Sequence, residues 1–163
     1  HFHITIIMLV SFVCNMFMEV KMQEIVIKNY QTIIPQVQRQ EDNHFTVKPV
    51  IEDISKCSAN FVEVDPGKYA YGYHYHEENE EVFYIISGEA SVKTEKGDIH
   101  LKQGDIICFP ANVKGSHVIS NPSRTEKLVY LDVGTANKPD IVHFTGTGAG
   151  MVVTGEKIYN FKE

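Results

Sequence analysis

Gly67–Gly88 reads GKYAYGYHYHEENEEVFYIISG, and Gly104–Asn121 reads GDIICFPANVKGSHVISN. The first stretch has the spacing G-x6-H-x-H-x4-E-x6-G, the second G-x5-P-x6-H-x3-N. Side chains alternate faces along a β-strand, so His74 and His76 point one way and Tyr75 the other. Val82 to Ile86 are β-branched or aromatic, so Glu81 opens the next strand. Glu77–Glu80 then make the hairpin that folds Glu81 back beside the histidines. His117 comes from a separate strand. Three imidazoles and a carboxylate form a mixed nitrogen and oxygen site. Such a site suits one divalent ion of the Mn, Fe, Ni, Co or Zn type.

The two stretches resemble motifs 1 and 2 of the cupin superfamily, and the small single-domain bacterial members that carry sugar-phosphate isomerase-like labels in particular. The likeness covers Gly67 to Asn121 closely, and roughly Phe45 to Val133 as a barrel. It implies four metal ligands, which fall on His74, His76, Glu81 and His117. Two departures are visible. Motif 1 has one extra residue between its first glycine and first histidine. In motif 2, Asn112 stands where the family usually has glycine, and His117 comes two residues late. The loop from Asn112 to Ser116 must therefore bulge. Asparagine is the next best residue to glycine for a left-handed turn.

Outward from the motifs, short β-rich runs follow one another closely. They are Phe45–Ile51, Asn60–Val64, Tyr69–His76, Val82–Ser87, Ala90–Thr94, Asp98–Leu101, Ile106–Phe109, His117–Ser120 and Lys127–Val133. Turn signals such as Asp65-Pro66-Gly67 and Gln103-Gly104-Asp105 separate them. Many short strands at this spacing indicate an antiparallel sandwich or small barrel. The resemblance selects an all-β double-stranded β-helix, the jelly-roll cupin barrel, with a metal in its mouth. The expected organisation is an N-terminal extension over 1–44, a barrel over 45–134 and a C-terminal tail over 135–163 packing on it. Glu24–Tyr30 reads as a short helix or strand, and Gln36–Asn43 as a polar loop. Gly146–Gly150 reads as a hinge before a last strand Met151–Thr154, and Lys157–Phe161 as an edge strand. Residues 1–22 hold an apolar run, Ile4–Met18, and four of the five methionines. That run is short for a membrane span, and Asn15 interrupts it. It reads as upstream sequence before a start at Met18 or Met22, as part of a longer chain, or as a strand swapped onto a partner.

The chain has 163 residues, 43% of them hydrophobic and 22% charged, which fits one globular domain. A net charge of −6 and no basic run disfavour nucleic acid as a partner. Cys14, Cys57 and Cys108 form no C-x-x-C pair, which points to reduced thiols and a cytoplasmic setting without a membrane.

Phe83 and Ile85 should point inward with Glu81. Tyr130 and Asp132 share a face; turned inward, Asp132 could accept a proton and Tyr130 donate a hydrogen bond. Turned outward, they would be surface residues. Asn121 fixes a turn. Tyr69, Tyr71, Tyr73 and Tyr75 form a stripe opposite the histidines, covered by a helix, the N-terminal segment or a second subunit. That stripe and the sheet edges favour a homodimer. Two functions remain open. One is a metal-dependent enzyme on a small polar metabolite, of isomerase or oxygenase type. The other is a non-catalytic metal-binding or small-ligand module. The absence of a lysine or arginine clearly placed in the barrel counts against a sugar phosphate as substrate.

Overall fold

In a computed structural model the chain is described over residues 25–51 and 56–162. The expectations for residues 1–22, as upstream sequence or a swapped strand, lie outside these. The described residues form thirteen strands and one short 3-10 turn, Val113–Gly115. The protein is an all-β jelly-roll barrel of antiparallel strands.

One sheet holds β1 (Gln36–Gln40), β2 (Asn43–Ile51), β3 (Cys57–Val64), β10 (Leu128–Thr135), β5 (Glu81–Ser87) and β8 (Ile106–Phe109), in that spatial order. The other holds β13 (Ile158–Lys162), β12 (Ala149–Val153), β11 (Asp140–Phe144), β4 (Tyr69–His76), β9 (His117–Ser120), β6 (Glu89–Thr94) and β7 (Gly97–Lys102). A single parallel bridge, Asn43 to Tyr69, joins them. Alternation is plainest on β10, where Leu128, Tyr130 and Asp132 are buried and the residues between them only partly so. These inward residues meet Val62, Val64, Phe83, Ile85, Val92 and Ile119 in one core. Each of those six is at most 1% exposed. Burial of this apolar surface is the main stabilising term for such a barrel.

The nine runs read between Phe45 and Val133 each fall on a strand. Four other readings change. Glu77–Glu80 is not a hairpin: β4 and β5 do not pair, and the loop crosses from one sheet to the other. Gln36–Gln40 is a strand, paired along its whole length with β2, although its polar side chains resemble a loop. Residues 25–29 form neither helix nor strand. Asp140–Phe144 is a strand, paired with β4 on one side and β12 on the other, so the tail extends the histidine-bearing sheet.

Two turns have local causes. Gly88 sits at φ 83, and a Cβ there would lie 2.7 Å from the Lys127 carbonyl oxygen. Asn121 donates from Nδ2 to the Val64 and Glu126 carbonyls, while its Oδ1 accepts from Ser123 N–H. Its side chain thus ties three backbone segments together in a buried position, as a turn-fixing residue should.

Candidate metal centre

β4 carries His74 and His76, and β9 lies against it with His117 directly opposite His74. Glu81 is the first residue of β5, on the other sheet. The four residues expected from the motifs therefore meet across the mouth of the barrel. Glu81 Oε2 lies 3.9 Å from His74 Nε2, 3.7 Å from His76 Nε2 and 3.5 Å from His117 Nε2. These separations exceed a hydrogen bond, which ends near about 3.2 Å for N–H···O. The groups face a common gap instead of bonding to one another.

The other ring nitrogens explain why. His74 Nδ1 donates to the Gly72 carbonyl at 2.8 Å, and His117 Nδ1 to the Gly115 carbonyl at 2.9 Å. His76 Nδ1 donates to Asp140 Oδ2 at 2.5 Å. A carbonyl can only accept, so Nδ1 of His74 and His117 must carry the hydrogen and Nε2 keeps its lone pair. Phe109 stacks on His117 with centroids 3.6 Å apart, and Phe83 meets it edge-on at 5.3 Å. The late histidine is reached as the loop length demands. Asn112 takes φ 69, and the turn Val113–Gly115 takes up the extra length.

Burial pushes His74 down to about 4, helped by His76 and opposed by its bond to Gly72. Burial and then His74 push His117 down to about 3, against the pull of its Gly115 bond. Both imidazoles are neutral near pH 7. Burial raises the Glu81 carboxyl, with Asp132 and Asp140 adding to it. Burial likewise raises Asp132, against a hydrogen bond from Asn60. Acidic groups thus crowd a desolvated pocket beside the neutral His74 and His117. No Lys or Arg lines this pocket among the described residues. The donor set fits a divalent cation, which would relieve that crowding.

A cavity of about 250 Å³ opens over His74, His76 and Glu81. Ser58, Asn60 and Asp132 form its polar wall, and Val142, Phe144 and Met151 its apolar one. Tyr130 does not reach it. Its ring is fully buried in the core, 4.8 Å from Phe83, and its hydroxyl has no partner. Tyr71 does reach it, contrary to the expected stripe. The register of β4 slips between Ala70 and His74, Tyr71 takes φ 56, and its ring turns inward against Phe45 at 4.5 Å. Of the remaining stripe, Tyr73 and Tyr75 are partly covered by this chain's own residues. Tyr75 stacks on His143 at 4.8 Å, and Lys93 lies 5.3 Å from the Tyr73 ring. Asp140 was also missed, since 64 residues separate it from His76. A second crevice of about 550 Å³, between the β6–β7 hairpin and β8, lies on Lys96, Ile99, Ile107 and Lys114, away from the histidines.

A family model described as the cupin domain matches residues 60–134. No curated protein matches the chain significantly. Among solved structures, a provisionally named sugar phosphate isomerase from Acidithiobacillus ferrooxidans is 21% identical, with a TM-score of 0.73 over 83% of this chain and 91% of that one. A cupin-superfamily sugar phosphate isomerase from Silicibacter pomeroyi is 16% identical, with a TM-score of 0.75 over 84% and 92%. A predicted oxalate decarboxylase from Thermotoga maritima is 22% identical, with a TM-score of 0.59 over 70% and 100%. At these identities the structural likeness speaks for the fold, and the family match agrees with it over the strands that carry the histidines and Glu81. Residues 60–134 of this chain thus match the cupin domain, on the fold that these structures share.

Proposed function

We propose that His74, His76, Glu81 and His117 hold one divalent metal ion of the Mn, Fe, Zn, Ni or Co type. On this reading the protein is a metal-dependent enzyme acting on a small polar metabolite, by isomerase-type or oxygenase-type chemistry. The observation that carries it is the outward anchoring of all three Nδ1 atoms, which leaves three Nε2 atoms converging on one Glu81 oxygen. Metal-binding histidines are oriented by such bonds on the far ring nitrogen. A bound ion would polarise a carbonyl or hydroxyl of the ligand, or activate oxygen if it were iron.

The chain's own residues supply the rest. Asp132 faces the cavity, and its raised carboxyl titrates nearer neutrality, as suits a group that takes and returns a proton. Asn60 holds it from the neighbouring strand, opposite Asp132 in register. Val142, Phe144 and Met151 keep water from one side of the cavity. Tyr130 supports Phe83 from behind. The neighbours named as isomerase and decarboxylase support an enzyme on this fold without choosing a reaction. The cytoplasmic setting read from the cysteines belongs to the same proposal. Among the described residues no helix is long and apolar enough to cross a membrane.

The test is elemental analysis of protein purified without added metal, followed by anomalous diffraction at the edges of the metals found. One ion with the four residues around it is expected. Protein without stoichiometric metal, which also fails to take up any of the five ions, would overturn the reading. Asp132→Asn should then abolish turnover of any identified substrate with metal content unchanged. A module that only binds would lose nothing.

A further inference from the structure

Beside the metal centre lies another cavity, a groove of about 610 Å³ on the β1–β2 hairpin. Gln36, Gln38 and Gln40 are spaced by two along β1, so their amides share one face. Their register partners on β2 are Val47, Phe45 and Asn43. Phe45, Tyr71 and Phe144 also line the groove, and Tyr71 and Phe144 line the metal cavity as well. Two aromatic rings are thus common to both spaces.

Among the described residues, the polar side chains along this route have no protein partner. The three glutamine side chains make no hydrogen bond among the described residues, and neither does the Tyr71 hydroxyl. Asn43 Oδ1 is buried with no partner, an arrangement that costs stability unless a donor arrives. Tyr71 keeps a left-handed backbone in a strand, a strained state that persists only where its surroundings enforce it. Arg39, on the exposed strand β1, is the one cation of the groove lining. No Lys or Arg lines the inner cavity among the described residues.

We propose that the two cavities are one extended site, and that its ligand is an uncharged, hydroxyl-rich compound of carbohydrate type. One end sits over Glu81 and Asp132. The other passes Tyr71 and lies along Gln36–Gln40. Carboxamides donate and accept at once, as hydroxyl groups do, and aromatic faces cover the apolar faces of such a compound. The inner cavity, at about 250 Å³, falls below the roughly 300–1,000 Å³ of small-molecule sites. The groove supplies the missing length. This inference rests on the metal centre being a ligand site, and it specifies what that ligand is.

The experiment is calorimetric titration of the full chain loaded with Mn(II), its metal content measured in the same sample. The probes are D-glucose, D-xylose, maltose and cellobiose, with glucose 6-phosphate as the charged counterpart. A neutral disaccharide should bind more tightly than either monosaccharide, and glucose 6-phosphate more weakly than glucose. Gln38→Ala and Tyr71→Phe should each weaken disaccharide binding roughly three- to tenfold, the loss expected for one hydrogen bond, with metal content unchanged. Gln38 is exposed, so its substitution leaves folding intact. No binding by any neutral probe, tighter binding of the phosphate, or wild-type affinity in both variants would overturn the proposal. Metal retained with Gln38-independent sugar binding would sink the groove and leave the metal centre standing. Gln38-dependent binding without retained metal would do the reverse.

Discussion

At the residue scale, the centre depends on what holds each imidazole from behind. Asp140 Oδ2 accepts from His76 Nδ1 while its Oδ1 accepts from Glu78 N–H, so the carboxylate is fixed at both ends. Asp140→Asn should lower metal affinity by about 10- to 100-fold, the usual effect of losing such a support. Single alanine substitutions of His74, His76, Glu81 and His117 should each lower metal content in purified protein. His100→Ala, on the exposed strand β7, should not. A pH dependence follows from Glu81, whose carboxyl burial holds above its ordinary 4.5. Below that raised value the metal-free centre carries a proton that an incoming ion must displace. Affinity should therefore rise with pH above 4.5 and level off once Glu81 is ionised. His74 and His117, at about 4 and about 3, compete little for protons near neutrality. Calorimetry near pH 6 in buffers of different ionisation enthalpy should show proton release on metal uptake. Zero release would argue against Glu81 as a ligand.

At the scale of elements, the loop before β9 is the tightest fit. A Cβ on Gly115 would lie 1.9 Å from the Pro110 carbonyl oxygen, and the Gly115 carbonyl is the acceptor for His117. Gly115→Ala must therefore move the loop that aims the imidazole. At an overpacking cost of roughly 1–3 kcal/mol, and about 2–4 °C per kcal/mol in a domain of this size, the melting temperature should fall by several degrees. Metal content should fall with it. Lys114→Ala, in the same turn but exposed, should change neither. The same elements show what the sequence makes legible. Phe83 and Ile85 are buried as their period-2 alternation with Glu81 predicts, while Tyr130, whose face the alternation left open, turns inward. Tyr71 escapes that reading because one slip in register, three residues before His74, turns its ring to the other face. Gln36–Gln40 escapes it because a strand at a sheet edge with both faces wet has no apolar alternation to show. His74, His76 and Glu81 were legible because their spacing is local, and His117 because the second stretch resembles motif 2 of the cupins. Asp140 was not, since its partner lies in another part of the chain.

At the scale of the whole molecule, β8 ends one sheet with its outer edge unpaired among the described residues. Tyr84 and Ile106 are cross-strand partners there, 42% and 63% exposed. Uncovered edges with apolar neighbours invite a second copy. We expect a homodimer by light scattering, and half that mass after Tyr84→Lys and Ile106→Lys together. An unchanged mass in the double variant would place the contact elsewhere. The crossing of Glu77–Glu80 between the sheets has a mechanical meaning as well. Three of the four residues at the mouth stand on one sheet and Glu81 alone stands on the other, while backbone pairing joins the two sheets at one bridge. An ion held there would rivet the halves of the barrel together, as a cross-link does for a chain closed on itself. Amide exchange should then report it: on chelation, β4, β5 and β9 should lose protection near the mouth, while β3 and β10 at the packed floor keep theirs.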